Sequence, residues 1–192
     1  GLDPEARLEE IRSQQELGEF AATVAPLAKL LETSPDDPEL NHLYGVALMG
    51  AQRPELAIWP LRKAAQEPDR AIEDGLLLSQ ALLRGGSAAD AVQQLLLVHE
   101  LAPDRVDVVR LLLNSRMAAK QNEEALETAA LLLALESDDP EALVLRLAAL
   151  LALERGDEAE EALAEFGEAV EDLPDESPWR PRFCVGSATF AQ

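Results

Sequence analysis

A ruler of 34 residues laid on Ala57 lands on Thr23, Ala91, Ala125 and Ala159, every one of them small. Moved four positions on, it reads Leu27, Leu61, Leu95, Ala129 and Leu163, so a second apolar position keeps the same phase without an insertion. A fixed period of this length marks a repeat array, in which each unit exposes an apolar face that only its neighbours can cover. The expected architecture is all-α, a solenoid of paired helices. Five periods occupy 4–37, 38–71, 72–105, 106–139 and 140–173, so the repeat domain is expected over 1–173, and 174–192 read as a linker plus a lone capping helix or a truncated sixth repeat.

Helix starts are announced by one tripeptide used three times: Asp3-Pro4-Glu5, Asp37-Pro38-Glu39 and Asp139-Pro140-Glu141. Aspartate accepts from free amides, proline is preorganised for the first helical position, and glutamate favours the positive end of the helix dipole. Asp104 is expected to open the intervening helix, and Asp69 or Asp74 the one before it. First helices are thereby placed near 4–16, 38–50, 72–84, 106–119 and 140–154. Second helices follow near 19–33, 54–67, 88–101, 122–136 and 157–171, after turns at Gly18, Gly50 with Pro54, Gly85-Gly86, Gln121-Asn122 and Gly156-Asp157. Pro26 and Pro60 fall inside two second helices, where the lost hydrogen bond predicts a bend.

The chain has 16 basic and 37 acidic residues and a formal net charge of −21. Such a body repels nucleic acid and anionic lipid, so neither is expected as a partner. No apolar run approaches the roughly 18 residues of a membrane span, and GLDPEARLEE at the start lacks the basic and apolar regions of a signal peptide. Gly1 reads as the residue left by removal of a tag, which would make the chain an excised piece, with any targeting information cut away. One cysteine, Cys184, excludes an intrachain disulfide and any multi-thiolate metal site. Nothing demands an oxidising compartment, which favours the cytoplasm without excluding another.

Catalysis needs a nucleophile or base beside a partner. His42, His99 and Cys184 are widely separated, no HxxxH or HExxH spacing occurs, and no glycine-rich loop follows a strand. Paired glutamates such as Glu123-Glu124 and Glu160-Glu161 are explained by solvated helix faces. No enzyme activity, cofactor or metal is expected.

Tyr44, Gly45, Leu48, Ala57, Leu61 and Ala64, at mutual spacings of 1, 3, 9, 4 and 3, are where the chain resembles the tetratricopeptide repeat family, in a bacterial style rich in Ala, Leu and Glu. The resemblance implies a right-handed solenoid of antiparallel helix pairs. At the position of Gly45, which brings two helices close, the other repeats have Ile11, Ser79, Leu113 and Leu147, and only Ser79 is small. In the fifth repeat the pair Leu147-Ala148 suits a core better than Arg146-Leu147, so a one-residue slip is expected there. The first repeat puts Arg7 and Glu10 where apolar residues belong. After Val170, EDLPDESP breaks the period, and Trp179 to Gln192 read as another first helix with Gly186 at the small position.

What the resemblance implies for function is a concave groove lined from the first helices. Position two gives Glu5, Glu39, Glu73, Asp107 and Glu141, an acidic row. Position five gives Leu8, His42, Leu76, Arg110 and Val144, and position nine gives Arg12, Val46, Gln80, Asn114 and Ala148. Position twelve gives Gln15, Met49, Leu83, Met117 and Leu151, an apolar row that includes both methionines, whose flexibility suits an apolar partner. Against this, acids at a helix start answer the dipole in any helix, and the Met/Leu row also fits a core. Arg110 and Asn114 look like part of the carboxylate clamp by which some family members hold a partner's C-terminus. The clamp is incomplete, because Leu145 stands where its asparagine would be and acids replace its lysine. The expected function is a protein interaction scaffold whose groove takes a peptide or helical segment with apolar anchors and basic flanks. The alternatives are a substrate-presenting or regulatory region of a larger enzyme, and a self-assembling scaffold that forms homo-oligomers through its terminal helices.

Overall fold

A computed structural model describes residues 4–171 and 177. Its α-helices are α1 Pro4–Glu16, α2 Phe20–Thr33, α3 Pro38–Gly50, α4 Pro54–Ala64, α5 Ala71–Arg84, α6 Ala88–Leu101, α7 Val106–Ala118, α8 Asn122–Leu135, α9 Pro140–Ala152 and α10 Gly156–Glu171. A short 3-10 turn, Pro68–Arg70, precedes α5. The fold is an all-α solenoid of helix pairs, with no strand among the described residues. It divides into two compact units, one reaching to Ala102 with α1 to α6 and the other beginning at Pro103 with α7 to α10.

Small residues set the distance within each pair. Thr23, Ala57, Ala91, Ala125 and Ala159 are all completely buried, as a strict period at a close helix contact requires. Four residues on, Leu27, Leu61, Leu95 and Ala129 are buried too, but Leu163 is only half-buried. In α10 the inward stripe is instead Ala159, Ala162, Phe166 and Val170, with Phe166 and Val170 packed on Leu143 of α9.

In the first unit, a Cβ on Gly45 would lie 2.5 Å from Leu61 Cγ, so α3 and α4 touch backbone to side chain. In the second unit the volumes are exchanged: the fully buried Leu113 of α7 faces a core containing Ala125 and Ala129 of α8. A large residue at the first position is therefore tolerated where its counterpart is small. Ser79 quiets its buried hydroxyl by donating to the Gly75 carbonyl at 2.7 Å.

The turns inside the pairs repeat with the same period. Gly18, Gln52, Gly86, Lys120 and Glu154, each 34 residues from the next, all have φ between 58° and 83°. In each, the amide of this residue donates three residues back and the following amide five back, as Lys120 does to Met117 at 3.1 Å and Gln121 to Arg116 at 2.9 Å. This is the Schellman motif, whose left-handed residue is usually glycine. The pivots are thus Gln52, Lys120 and Glu154, not Gly50, Gln121-Asn122 or Gly156-Asp157 as the glycine and asparagine content suggests.

Asp37 and Asp139 do cap α3 and α9, accepting from the amides of Leu40 at 2.9 Å and Ala142 at 2.7 Å. Asp3 lies outside the described residues. Asp69 and Asp74 do not cap α5, because the turn at Pro68–Arg70 feeds the chain into it and Arg70 holds the cap position. Arg105, not Asp104, precedes α7. α4 stops at Ala64, short of the expected 67, and α2 and α4 both continue past their internal prolines.

The expected slip in the fifth repeat is absent. Ala142 and Leu143 of α9 are buried at the positions that Val108 and Val109 hold in α7, and Arg146 stays in register because it reaches Glu165 on α10. In α1, Arg7 and Glu10 pair on the surface at 2.7 Å while Ile11 fills the core beside them. The expected element at Trp179 to Gln192, with Gly186 and Cys184, lies outside the described residues.

Candidate functional site

The first helices of the first unit carry Glu39, His42, Val46 and Met49 on α3, and Glu73, Leu76, Gln80 and Leu83 on α5. Met49 is 7% exposed and packs with Leu48, Ala57, Leu61 and Leu78. Leu76 is buried as well. Both are core residues rather than groove contacts, since the last turn of α3 and the middle of α5 lie against neighbouring helices. Val46, Gln80 and Leu83 are half-buried and keep an open side.

His42 meets a partner that sequence did not indicate. Asp74, completely buried, has Oδ1 2.5 Å from His42 Nδ1 and Oδ2 3.9 Å from Arg70 Nη1. It occupies the repeat position taken by Leu40, Val108 and Ala142 elsewhere, so a carboxylate stands where the period calls for an apolar side chain. A buried carboxylate persists only if paired, and the contact from α3 to α5 supplies the pairing.

In the second unit, α7 carries Asp107, Arg110, Asn114 and Met117, and α9 carries Val144, Ala148 and Leu151. Arg110 reaches Glu136 at 2.7 Å, Asp139 at 2.5 Å and Glu141 at 3.3 Å. Burial works against its charge, but hydrogen bonds and attraction from Asp139 and Glu141 hold its pKa above the ordinary arginine value. Asn114 donates to Glu141 at 2.9 Å. The two residues resembling a carboxylate clamp are thus saturated by carboxylates of their own chain.

The acidic row has the same internal use. Glu39 accepts from Arg12 of α1, and that hydrogen bond, with the attraction behind it, raises the Arg12 pKa. Glu141 braces α9 to α7 through Arg110 and Asn114. Asp107 is gripped by Arg105 at 2.6 Å and accepts from the Val108 amide, so its carboxyl sits below the usual aspartate value. Acids at the second position therefore act as ties as well as helix-start residues.

The apolar row divides in a similar way. Met117 packs against the core around Val109 and Leu113, and Val144 against Leu143 and Phe166. Leu151, near the end of α9, is 46% exposed. Sequence reasoning from the first helices missed a second set of exposed apolar side chains on the other layer: Leu56 and Trp59 of α4, and Leu97 and Leu101 of α6. The signal was present, because Leu97 and Leu101 stand four apart and off the buried face of Leu95 and Val98. Lys63 lies 4.2 Å from the Trp59 ring centre and covers part of it.

Among the described residues no three His, Cys, Asp or Glu side chains are grouped to hold a metal ion, and no helix is long and apolar enough to cross a membrane. No family model and no curated protein matches the chain. Solved structures do. A crystal structure of MamA protein superposes with a TM-score of 0.79 at 18% identity, over 88% of this chain and 96% of that one. MamA 41-end from Desulfovibrio magneticus RS-1 gives 0.73 at 17% identity, over 87% and 93%. YrrB, described as a TPR protein with an unusual peptide-binding site, gives 0.77 at 16% identity, over 91% and 88%. At such identities the likeness shows the fold alone, which is that of the tetratricopeptide repeat.

Proposed function

We propose, on the premise of a tetratricopeptide repeat fold, that the chain is a protein interaction scaffold rather than an enzyme, and that its first helices receive a partner segment with apolar anchors and basic flanks. The observation that carries this is Leu151: a large apolar side chain 46% exposed on α9, at the repeat position where Met117 and Leu83 also keep an open side. Met49 and Leu76 take no part, being core. Local carboxylates are largely tied to arginines, so the preference for basic flanks comes from the whole body of net charge −21, which accelerates encounter with a cation more than it deepens the final complex.

The test uses labelled amphipathic helical peptides, one with lysines flanking leucines and one with glutamates in their place, titrated against the chain. The basic peptide should bind and the acidic one should not. Raising salt from roughly 0.05 to 0.5 M should weaken binding chiefly by slowing association, because screening shortens the reach of the charge. Leu151→Glu should weaken the complex by about tenfold, the loss of one buried leucine contact of roughly 1.5 kcal/mol. Equal binding of both peptides, or indifference to Leu151→Glu, overturns the reading.

A further inference from the structure

The second unit holds a cleft of about 430 Å³ lined from α8, α9 and α10. Leu126 of α8 and Leu150 of α9 give it an apolar floor. Two arginines enter it, and both are spoken for. Arg155 reaches Glu158 at 2.6 Å and Glu123 at 3.3 Å, and Arg146 reaches Glu165. Hydrogen bonding from Arg155 holds the Glu158 carboxyl below its ordinary value. Two exposed carboxylates of the lining are left over, Glu127 on α8 and Glu161 on α10, 34 residues apart and without a hydrogen bond or ion pair among the described residues. The cleft is therefore an apolar floor with one unmatched negative charge on each of two walls.

The chain itself contains a segment of the complementary chemistry. Residues 178–192, PWRPRFCVGSATFAQ, have Arg180 and Arg182 and no acidic residue, in a chain of net charge −21. They also hold one of the two tryptophans and two of the four phenylalanines. Reach is sufficient. The six residues between Glu171 and Pro178 span up to about 20 Å when extended, whereas Glu161 lies about 15 Å back along α10 at the helical rise.

We propose that the basic, acid-free segment 178–192 of the same chain is the occupant of this cleft, its two arginines answering the charges of Glu127 and Glu161 and its aromatic content suiting the apolar floor. Any outside partner for the same cleft would have to be basic and aromatic enough to displace it.

Cys184, the single cysteine, adjoins Phe183 and reports docking without any label. Its rate of reaction with a neutral aromatic disulfide is measured on the whole chain and on a synthetic peptide of residues 178–192. Two surface ion pairs plus apolar contact should slow the thiol in the chain by about fivefold or more. Glu127→Gln with Glu161→Gln should restore most of the peptide's rate, and Glu127→Arg with Glu161→Arg all of it. Adding Arg180→Glu and Arg182→Glu to the latter pair should bring the protection back. Circular dichroism on each variant separates loss of docking from loss of fold, and the glutamine pair is mild enough to serve if the arginine pair does not fold. A thiol in the parent chain as reactive as in the peptide overturns the proposal. So does a rate unmoved by the glutamine pair, or protection that disappears on dilution and so belongs to a second copy.

Discussion

Lys120 and Gly86 stand at the same turn of two different helix pairs, and exchanging their chemistry should move stability in opposite directions. Both have left-handed backbone, φ 59° and 83°. For an L residue with a side chain that conformation costs about 1–2 kcal/mol, while glycine tolerates it but gives up about 0.5–1 kcal/mol of extra chain entropy on folding. Lys120→Gly should therefore stabilise by a net of about 0.5–1 kcal/mol, since the exposed lysine makes no hydrogen bond or ion pair among the described residues that would be lost. Gly86→Ala should destabilise by the same amount. Nothing lies within 4 Å of a Cβ built on Gly86, so no clash can be blamed. Gln52→Gly and Glu154→Gly repeat the Lys120 experiment at two more pivots, and the three combined should gain about 1.5–3 kcal/mol, or a few degrees in Tm for each kcal/mol. Guanidinium unfolding followed by far-ultraviolet circular dichroism measures this directly. If Lys120→Gly lowers the midpoint, or Gly86→Ala leaves it unchanged, the turns do not impose the backbone strain assigned to them.

Ala91→Leu should overpack the contact of α5 with α6, where Ala91 is completely buried, and lower stability by about 1–3 kcal/mol in urea titration. Arg110→Met should cost about 1–3 kcal/mol, because Asp139, 7% exposed at its side chain, loses its cation while still capping α9. Glu158→Gln tests pH linkage: its depressed carboxyl contributes stability that is fully present above the ordinary value of 4.5 and is lost as pH falls through the lower folded value. The gap in unfolding midpoint between parent and variant should close on acidification, and a gap that widens refutes the pairing with Arg155.

The period was legible because geometry leaves no freedom where two helices meet at Thr23, Ala57, Ala91, Ala125 and Ala159: a larger side chain would separate them. Aspartate followed by proline was legible at Asp37 and Asp139 because capping is a local transaction. Asp74 was misread for the same reason, since an acid near a helix start looks like a cap until His42, 32 residues away, supplies its partner. The pivots escaped notice at Gln52, Lys120 and Glu154 because nothing in those side chains signals a left-handed backbone. Carboxylates at Glu39 and Glu141 read as a ligand surface because their arginines come from the previous repeat, at separations of 27 and 31 residues. Met49 shows the limit of carrying a position across repeats, since the same register number is core in α3 and open on α9.

The exchange of volumes between Gly45 with Leu61 and Leu113 with Ala129 has a bearing on how such chains can be copied and recombined. A gene segment encoding α3 joined to one encoding α8 would bring Gly45 against Ala129 and leave a hole; α7 joined to α4 would force Leu113 against Leu61. These two hairpins are thus matched sets, whereas α1 and α2 bury the two large residues Ile11 and Leu27 in one core, so crossovers inside α3–α4 or α7–α8 should succeed less often than crossovers between hairpins. A library of shuffled helices sorted for soluble expression should show that junction bias, with the survivors of internal crossovers carrying a second change at the facing position.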